Sequence, residues 1–295
     1  IEHSLQYKYK GDMPEHVAER LSKAADAINA LDHEMSSVRN EIMDAQNSSQ
    51  MQSNLVKDIL INIENLYKIA NKREIMKIQD EFLREEAREK GIVSLADIPT
   101  VKEQYGSGVL FGDRISIWQG DITRLQADAI VNAANSRMLG CFVPCHGCID
   151  NAIHSAAGLR LREACSRYMD DRRREDPDYE EPVGRAVLTP GFCLPCRYVI
   201  HTVGPVVGMR LTKELKQDLR NCYVSCLEAA ADQGLRSIAF CCISTGEFHF
   251  PNDKGAEIAV DTVTKFIKQR KAAFDRIVFN VFKDGDRELY EKLLS

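Results

Sequence analysis

Residues 119–154 read QGDITRLQADAIVNAANSRMLGCFVPCHGCIDNAIH, and this stretch decides the fold. The apolar run at 129–131 predicts a buried strand, and Asn132 and Asn135 lie just past its expected carboxyl end. In open α/β sheets, ligands bind in the crevice outside the carboxyl ends of the strands. We therefore expect both amides to face a ligand site.

Soft metal ligands follow within eight residues: Cys141, Cys145, His146 and Cys148. Thiolate and imidazole together suit zinc. Three ligands would leave a tetrahedral ion one open position, as in catalytic sites, whereas the addition of Cys145 would close the shell and make it structural. Cys145 and His146 are adjacent, and adjacent side chains on a short loop rarely both reach one ion. The residues alone leave both arrangements open.

Asp150 and Asn151 begin a predicted helix that continues through Leu159. The amino end of a helix carries free backbone N–H groups and a partial positive charge, which favour anions such as phosphate. This end directly follows the cysteine and histidine cluster, so we expect the two features to face the same place.

Strand and helix patterns alternate along the rest of the chain. The predicted strands lie at 115–118, 129–132, 186–189, 198–202, 237–242 and 276–281. The predicted helices lie at 149–168, 213–233, 254–269 and 287–294. This alternation predicts a sheet between two layers of helices.

Several motifs occur in an order that identifies a family. The runs GDIT at 120–123, DAIVNAAN at 128–135, VIHTVGP at 199–205 and ISTG at 243–246 resemble a macrodomain, the ADP-ribose-binding α/β/α fold. The insertion GCFVPCHGCIDN at 140–151 is similar to that of the zinc-dependent macrodomains, which remove ADP-ribose from proteins. The resemblance covers roughly residues 75–295. It implies a three-layer α/β/α macrodomain with a mixed central sheet, preceded by an α-helical N-terminal region.

The resemblance also implies an activity and its residues. The chain would be a zinc-dependent hydrolase that binds ADP-ribose and removes mono-ADP-ribose from modified proteins, by cleaving the bond to the anomeric carbon of the distal ribose. Its zinc ligands would be Cys141, His146 and Cys148, with the position of Cys145 variable. Asp150 and Asn135 fall where relatives place catalytic groups near that ribose. We expect zinc to bind the ribose or the attacking water while Asp150 orients or deprotonates the water. The alternative role for Asp150 is a helix N-cap.

Loops at the same edge would hold the nucleotide. Asp121 resembles the family's carboxylate that accepts a hydrogen bond from the adenine amino group, with the Ile122 backbone beside it; a simple turn residue is the alternative. Small residues after the strand at 237–242 would let backbone N–H groups approach a diphosphate. The expected ligand-binding residues are Asp121, Ile122, Asn132, Asn135, Asn151, Ser244, Thr245, Gly246, Glu247 and Phe248. Phe248 would stack near a ribose, although an aromatic residue after a strand is often part of the core.

The alternative function is a non-catalytic module that reads ADP-ribose and holds a structural zinc. An aspartate at position 150 beside an open zinc site favours the enzyme, because a reader needs neither. The implied partners are ADP-ribose, a mono-ADP-ribosylated protein substrate and, as for family relatives, a partner ADP-ribosyltransferase. We expect His154, His201 and His249 to be packed residues rather than bases.

The first hundred residues carry a different pattern. Apolar side chains at alternating three- and four-residue spacing predict an amphipathic helix at 14–47, and a second helical pattern covers 55–70. Together they predict a helical hairpin, which is either an arm for self-association or docking, or a cap on the main domain. A third helix is predicted at 75–90, ended by Gly91, with a linker at 92–108. The predicted domains are therefore 1–105 and 106–295.

Composition excludes several classes of protein. The net charge of −5 argues against a general nucleic-acid binder, which needs a basic face. No apolar run reaches the length of a membrane span, and the first residues lack a signal pattern. All ten cysteines lie between Cys141 and Cys242, a poor disulfide framework that predicts a reducing compartment, the cytoplasm. Cys193 and Cys196 have zinc half-site spacing without a second pair, so packed thiols in a turn are favoured.

Overall fold

The computed structural model describes residues 33, 36, 72–143 and 146–295. The chain divides into two units, Ile1–Phe82 and Leu83–Ser295. The hairpin predicted from the patterns at 14–47 and 55–70, and the role of Cys145, fall outside the described residues. The second unit includes residues 83–105, which the sequence analysis assigns to the N-terminal region. The domain boundary at residues 105 and 106 stays a prediction.

The strands form one large sheet and one small one. In chain order they are β1 (Val93–Ser94), β2 (Ile115–Gln119), β3 (Leu125–Gln126), β4 (Ala129–Ala134), β5 (Ala186–Pro190), β6 (Tyr198–Val203), β7 (Ser237–Phe240) and β8 (Arg276–Val281). The large sheet has the order β2-β8-β7-β4-β6-β5, and β1 pairs with β3. All neighbours in the large sheet run parallel except β5 and β6. The sheet is therefore mixed, as the resemblance implies.

Helices of the second unit pack against this sheet. Residues 72–89 are helical and are called α1. The others are α2 (Val101–Tyr105), α3 (Ile149–Ala157), α4 (Leu159–Arg173), α5 (Lys213–Asp232), α6 (Asn252–Gln269) and α7 (Asp284–Leu294). α5, α6 and α7 pack in succession and contact the strands through α5 and α7, whereas α3 packs against α4 and β4. This arrangement confirms the predicted α/β fold.

The centre of the sheet is apolar because β4 is covered on both faces. Ala129, Ile130 and Val131 are fully buried between β6 and β7. A parallel strand in this position needs a continuous apolar run, which is what the sequence supplies. Cys193 and Cys196 are buried in the turn between β5 and β6, which confirms their prediction as packed thiols. Among the described residues, no helix combines the length and the apolar character that crossing a bilayer requires.

The structure corrects several predicted boundaries. The helix predicted at 149–168 is two helices, because Gly158 adopts φ +86° and separates α3 from α4. The strand predicted at 237–242 ends at Phe240. The linker predicted at 92–108 contains β1, a 3-10 turn at Leu95–Asp97 and α2. α2 begins with a capping box in which Thr100 and Glu103 satisfy each other's backbone N–H groups, so local hydrogen bonds give this segment its structure.

Candidate functional site

The carboxyl ends of the parallel strands meet at one edge of the sheet. Asn135 follows β4 at this edge, Gly204 follows β6, and Ser244 lies in the loop after β7. The loops touch: a Cβ added at Gly204 would overlap the Ser244 Oγ. The prediction that Asn132 lies past the end of the strand is wrong. Asn132 lies inside β4 and is fully buried. Its side chain therefore reaches the site from within the sheet.

Asp150 lies at this edge in the first turn of α3, and its carboxylate is buried. Asn132 Nδ2 donates to Asp150 Oδ1 over 2.8 Å, and Asn135 Nδ2 donates to Asp150 Oδ2 over 3.0 Å. Two side-chain amides thus hold both oxygens of one carboxylate. Asp150 is not the N-cap of the helix, since Cys148 occupies that position and its Sγ accepts from the Asn151 N–H.

Burial and hydrogen bonding act on Asp150 in opposite directions. Burial raises the pKa of its carboxyl group, while the bonds from Asn132 and Asn135 lower it by stabilising the charged form. His154 lies one turn further along α3, with Nε2 3.6 Å from Asp150 Oδ1. Burial lowers the pKa of His154 to about 4, so the ring is neutral at neutral pH and makes no ion pair there. The effect of burial is the larger, so the pKa of Asp150 is raised above its ordinary value.

Three potential metal ligands stand beside this carboxylate. Ligand atoms of Cys141, His146 and Cys148 all lie within 4.8 Å of one another, and each residue is half-buried. Cys141 Sγ and His146 Nδ1 are 3.4 Å apart. Two such ligands on a tetrahedral zinc are separated by roughly 3.6 Å, given the usual zinc to sulfur and zinc to nitrogen distances. The donor types and their spacing fit zinc.

The first turn of α3 contacts the segment that carries Cys141, His146 and Cys148, which is called the metal-ligand loop. Asn151 Nδ2 donates to the His146 carbonyl over 2.8 Å, and the Asn151 N–H faces Cys148 Sγ. Burial, together with the Cys141 thiol and the charge of Asp150, raises the pKa of the Cys148 thiol to about 11, although the Asn151 N–H acts in the opposite direction. A thiolate here therefore needs a cation beside it, which is what a bound metal ion provides.

The loop after β7 reaches the same place. Glu247 Oε1 lies 3.4 Å from His146 Nε2. The other ring nitrogen of His146, Nδ1, faces Cys141. Ser244 is buried with φ +64°, and Thr245 Oγ1 donates to the Cys242 carbonyl. Gly246 and Glu247 are exposed. The predicted diphosphate loop, residues 244–248, thus contacts the metal-ligand loop through Glu247 and His146.

The outer members of the predicted site have local partners. Phe248 is half-buried and its carbonyl accepts from the Val207 N–H. Asp121 follows β2 at the same edge of the sheet, but its Oδ1 accepts from the N–H and the hydroxyl of Thr123, at 3.0 and 2.7 Å. Asp121 therefore caps the 3-10 turn Ile122–Arg124, in which Ile122 is buried. The turn role foreseen as the alternative is real, and an adenine role stays a prediction.

The histidines of the chain differ in their surroundings, and one of them contacts the site in a way that the sequence did not predict. His154 and His201 are buried as expected, whereas the expectation for His249 was wrong because that residue is exposed. His201, however, does more than fill space: its Nδ1 is 3.1 Å from the Nδ2 of Asn132. A polar residue inside the apolar run at 198–203 is the only sequence signal for this contact.

A surface groove of about 640 Å³ lies elsewhere, lined by Arg236, Lys268 and Lys271 among others. Arg236 directly precedes β7, Lys268 lies in the last turn of α6, and Lys271 lies between α6 and β8, so the groove is at the edge of the sheet opposite Asn135. Its size does not make it the candidate site, because the groups that could do chemistry converge at the other edge.

Comparisons with known proteins identify relatives of this chain. The family model of the macro domain matches residues 131–259. A protein from Treponema medium described as "Protein-ADP-ribose hydrolase" is 50% identical over 223 residues, which are 76% of this chain and 81% of that protein. One from Staphylococcus aureus strain MRSA252 with the same description is 42% identical over 252 residues, 81% of this chain and 89% of that protein.

Solved structures of macrodomains resemble the fold of this chain. The crystal structure of a Trypanosoma brucei macrodomain in complex with ADP-ribose superposes with a TM-score of 0.57 and 37% sequence identity, over 68% of this chain and 76% of that chain. An Oceanobacillus iheyensis macrodomain with ADP superposes with a TM-score of 0.54 and 36% identity, over 62% of this chain and 92% of that chain.

Proposed function

The chain belongs to the macrodomain family, and on that premise we propose that it binds ADP-ribose and removes mono-ADP-ribose from modified proteins by hydrolysis. The names of its relatives and the ADP-ribose complex of a structural neighbour support this proposal. We further propose that the activity depends on zinc held by Cys141, His146 and Cys148. A partner ADP-ribosyltransferase and self-association through the N-terminal region stay predictions.

One observation carries the proposal: the buried Asp150 lies beside Cys141, His146 and Cys148, whose ligand atoms could hold one metal ion. Asp150 is fixed by Asn132 and Asn135, and its charge is close enough to influence the Cys148 thiol. A module that only reads ADP-ribose has no use for a buried, oriented carboxylate at this position. If these three residues are the protein ligands, a tetrahedral zinc keeps one open position, which a structural site does not need.

The residues of the chain suggest a division of labour. Asn135 Nδ2 donates to Asp150 and to the Gly140 carbonyl, and its Oδ1, which accepts from the Arg137 N–H, keeps a second lone pair that can accept from a ribose hydroxyl. Asp150 orients the attacking water or accepts its proton, because its two oxygens are fixed by amide donors. Loop residues 244–248 hold the diphosphate, and they reach the metal-ligand loop through Glu247 and His146.

Zinc, when bound, would polarise an oxygen at the distal ribose or lower the pKa of a bound water. Cys141, His146 and Cys148 would hold it, and Asn151 would keep their loop in place through the His146 carbonyl. The glycosidic bond breaks through a cationic sugar, so a fixed carboxylate close to the anomeric carbon also stabilises the charge that develops there.

The second candidate function is an ADP-ribose reader with a structural zinc. The contact between His146 and Glu247 favours it in part, because a metal in this loop would brace the diphosphate loop whether or not a reaction occurs. The two functions differ in one outcome: a reader binds ADP-ribose and leaves a modified protein unchanged.

The test measures release of free ADP-ribose by mass spectrometry from a mono-ADP-ribosylated protein, with the zinc-loaded full chain and a chelated sample side by side. We expect release from the loaded sample and at least about a hundredfold slower release after chelation, with the circular dichroism spectrum unchanged. Release at full rate without metal would overturn the zinc proposal and leave the hydrolase proposal standing. Binding of ADP-ribose without release would establish the reader.

A matched pair of variants tests the ligand assignment. Cys141→Ser should lower the zinc content measured by atomic emission, because serine is a poor zinc ligand. Cys242→Ser is the control, since Cys242 lies outside the ligand group and donates a hydrogen bond to the Asn280 carbonyl that serine can replace. Equal zinc content in the two variants would contradict the assignment.

A further inference from the structure

A chain of buried hydrogen bonds runs from Asp150 into the sheet. Asn132 Nδ2 is 2.8 Å from Asp150 Oδ1 and 3.1 Å from His201 Nδ1, and His201 Nε2 is 2.9 Å from Thr189 Oγ1. All four residues are at most 5% exposed. Asn132 and His201 are register partners on β4 and β6, so their side chains stand side by side on one face of the sheet.

The direction of each bond follows from the chemistry of its atoms. A carboxylate only accepts hydrogen bonds, so Asn132 presents its NH₂ group to Asp150. The same NH₂ group faces His201 Nδ1, which must then be an acceptor, and the proton of the neutral ring sits on Nε2. Burial lowers the pKa of His201 to about 3, which keeps the ring neutral. His201 Nε2–H donates to Thr189, whose hydroxyl faces the Val199 carbonyl at 3.4 Å.

This arrangement decides which way the Asn132 amide faces. If the amide turned over, its oxygen would face two acceptors, Asp150 Oδ1 and His201 Nδ1. In the observed orientation both acceptors receive a proton, and the Asn132 Oδ1 is left without a hydrogen-bond partner among the described residues. Loss of the His201 acceptor would remove one of the two contacts that select this orientation.

We infer that His201 is a positioning residue, which fixes the Asn132 amide through Nδ1 so that Asn132 holds the Asp150 carboxylate in its reactive orientation. The inference rests on the proposed hydrolase function of the site. Asn135 holds the other oxygen from the loop side, so the carboxylate is fixed once by the loop and once by the sheet. A group held this way needs no reorganisation when the reaction begins.

A second metal site is the rival explanation of the same residues. Ligand atoms of His154, Cys165 and His201 lie within 4.8 Å of one another, and Cys165 Sγ is 3.8 Å from His201 Nε2. Both ring nitrogens of His201 already have partners, however, and burial raises the pKa of the Cys165 thiol to about 12. A metal would have to break the bonds to Asn132 or Thr189 and remove a tightly held proton.

The test compares two amides at position 201. In His201→Asn, the new Oδ1 takes the place of Nδ1 and can accept from Asn132. In His201→Gln, the amide reaches instead the place of Nε2, and no acceptor faces Asn132. Both variants bury a polar amide in the same core, so a merely structural role would affect them alike. His201→Leu removes both nitrogens.

We expect kcat for ADP-ribose release to fall about 10- to 100-fold in His201→Gln and His201→Leu, with KM changed less than about threefold. His201→Asn should stay within about fivefold of the unchanged protein. Equal losses in the Asn and Gln variants would overturn the inference. So would the loss of a second equivalent of zinc from any of the three variants, because that outcome establishes the rival metal site.

A measurement that needs no turnover separates this inference from the proposed function. Nitrogen NMR of histidine-labelled protein reports the tautomer of each ring, and the His201 signal is identified by its absence in His201→Asn. We expect the Nε2–H tautomer, and we expect Thr189→Val to disturb it because the acceptor of that proton is lost. An Nδ1–H tautomer overturns the inference even where the hydrolase is active, and an Nε2–H tautomer upholds the hydrogen-bond chain even where it is not.

Discussion

Gly140 packs directly on the ring that lies beneath the metal-ligand loop, and its replacement by alanine gives the sharpest test of that packing. Gly140 adopts φ +79°, and a Cβ placed on it would lie 2.8 Å from His154 Cγ and 3.0 Å from Cδ2 and Nδ1. His154 is buried, with Asp150 3.6 Å away and the His201 ring at a centroid distance of 5.9 Å. The ring therefore has little room to retreat.

Two costs add in this variant. A left-handed backbone costs a residue other than glycine about 1–2 kcal/mol. Forcing an extra methyl group into a packed core typically costs about 1–3 kcal/mol more. The expected loss of unfolding free energy for Gly140→Ala is therefore about 2–5 kcal/mol, a large fraction of the stability of an ordinary domain.

Two other glycines separate these costs. Gly106 has φ +65° with no atom within 4 Å of an added Cβ, so Gly106→Ala carries the backbone cost alone. Gly108 has open space and no positive φ, so Gly108→Ala carries neither cost. Urea unfolding of the zinc-saturated full chain, followed by circular dichroism, should rank the losses Gly140→Ala, then Gly106→Ala, then Gly108→Ala.

The first difference in this ranking measures the contact with the ring. It should be about 1–3 kcal/mol, and in the double variant Gly140→Ala with His154→Ala the two losses should be less than additive by a similar amount. A loss for Gly140→Ala no larger than that for Gly106→Ala would refute the reasoning, because only the backbone would then matter. Additive losses in the double variant would refute it as well.

Asp150, His201 and Gly204 each give a further prediction. Asp150→Ala should slow ADP-ribose release at least about 100-fold and leave ADP-ribose affinity in calorimetry within about tenfold, and retained turnover would remove the catalytic role. Burial lowers the pKa of His201 to about 3, against about 6.5 in the unfolded chain, so the stability that the neutral ring contributes above pH 6.5 is lost as the pH falls from about 6.5 to about 3. The variant His201→Asn should therefore flatten the acid side of a curve of unfolding free energy against pH by about 1.4 kcal/mol per pH unit. An unchanged slope would contradict this prediction. Gly204→Ala should weaken ADP-ribose binding about tenfold, because the added methyl group displaces Ser244. Adding Ser244→Gly in the same chain should restore the affinity. Unaltered affinity in the single variant would show that the loops after β6 and β7 move apart freely.

The sheet and the place of the site could be predicted because they depend on short-range signals. The apolar run at 129–131 predicts a buried strand, and Asn135 does follow the carboxyl end of that strand, although Asn132 lies inside it. Asn135 and Asp150 meet there as expected. The cysteine and histidine spacing at 141–148 likewise limits which side chains can share one small ion.

Other features depend on contacts that spacing does not reveal. The break at Gly158 separates two runs that each look helical, and only its φ of +86° shows where one helix ends. The N-cap of α3 is Cys148 rather than Asp150, because the thiol faces the Asn151 N–H and the carboxylate turns toward the sheet. A cysteine is not a usual cap, so propensity favoured the wrong residue.

The role of His201 could not be predicted because it depends on strand register. Asn132 and His201 become neighbours only when β4 and β6 pair as they do, and a shift by one residue would turn one of the side chains to the opposite face. Asp150 is held by this pairing from within the sheet, whereas Cys148, two residues earlier, belongs to the metal-ligand loop. The carboxylate and the candidate metal site are thus adjacent in sequence but anchored to different parts of the fold. Removal of the metal should therefore leave the bond from Asn132 to Asp150 in place, because the sheet that supports it contains none of the metal ligands.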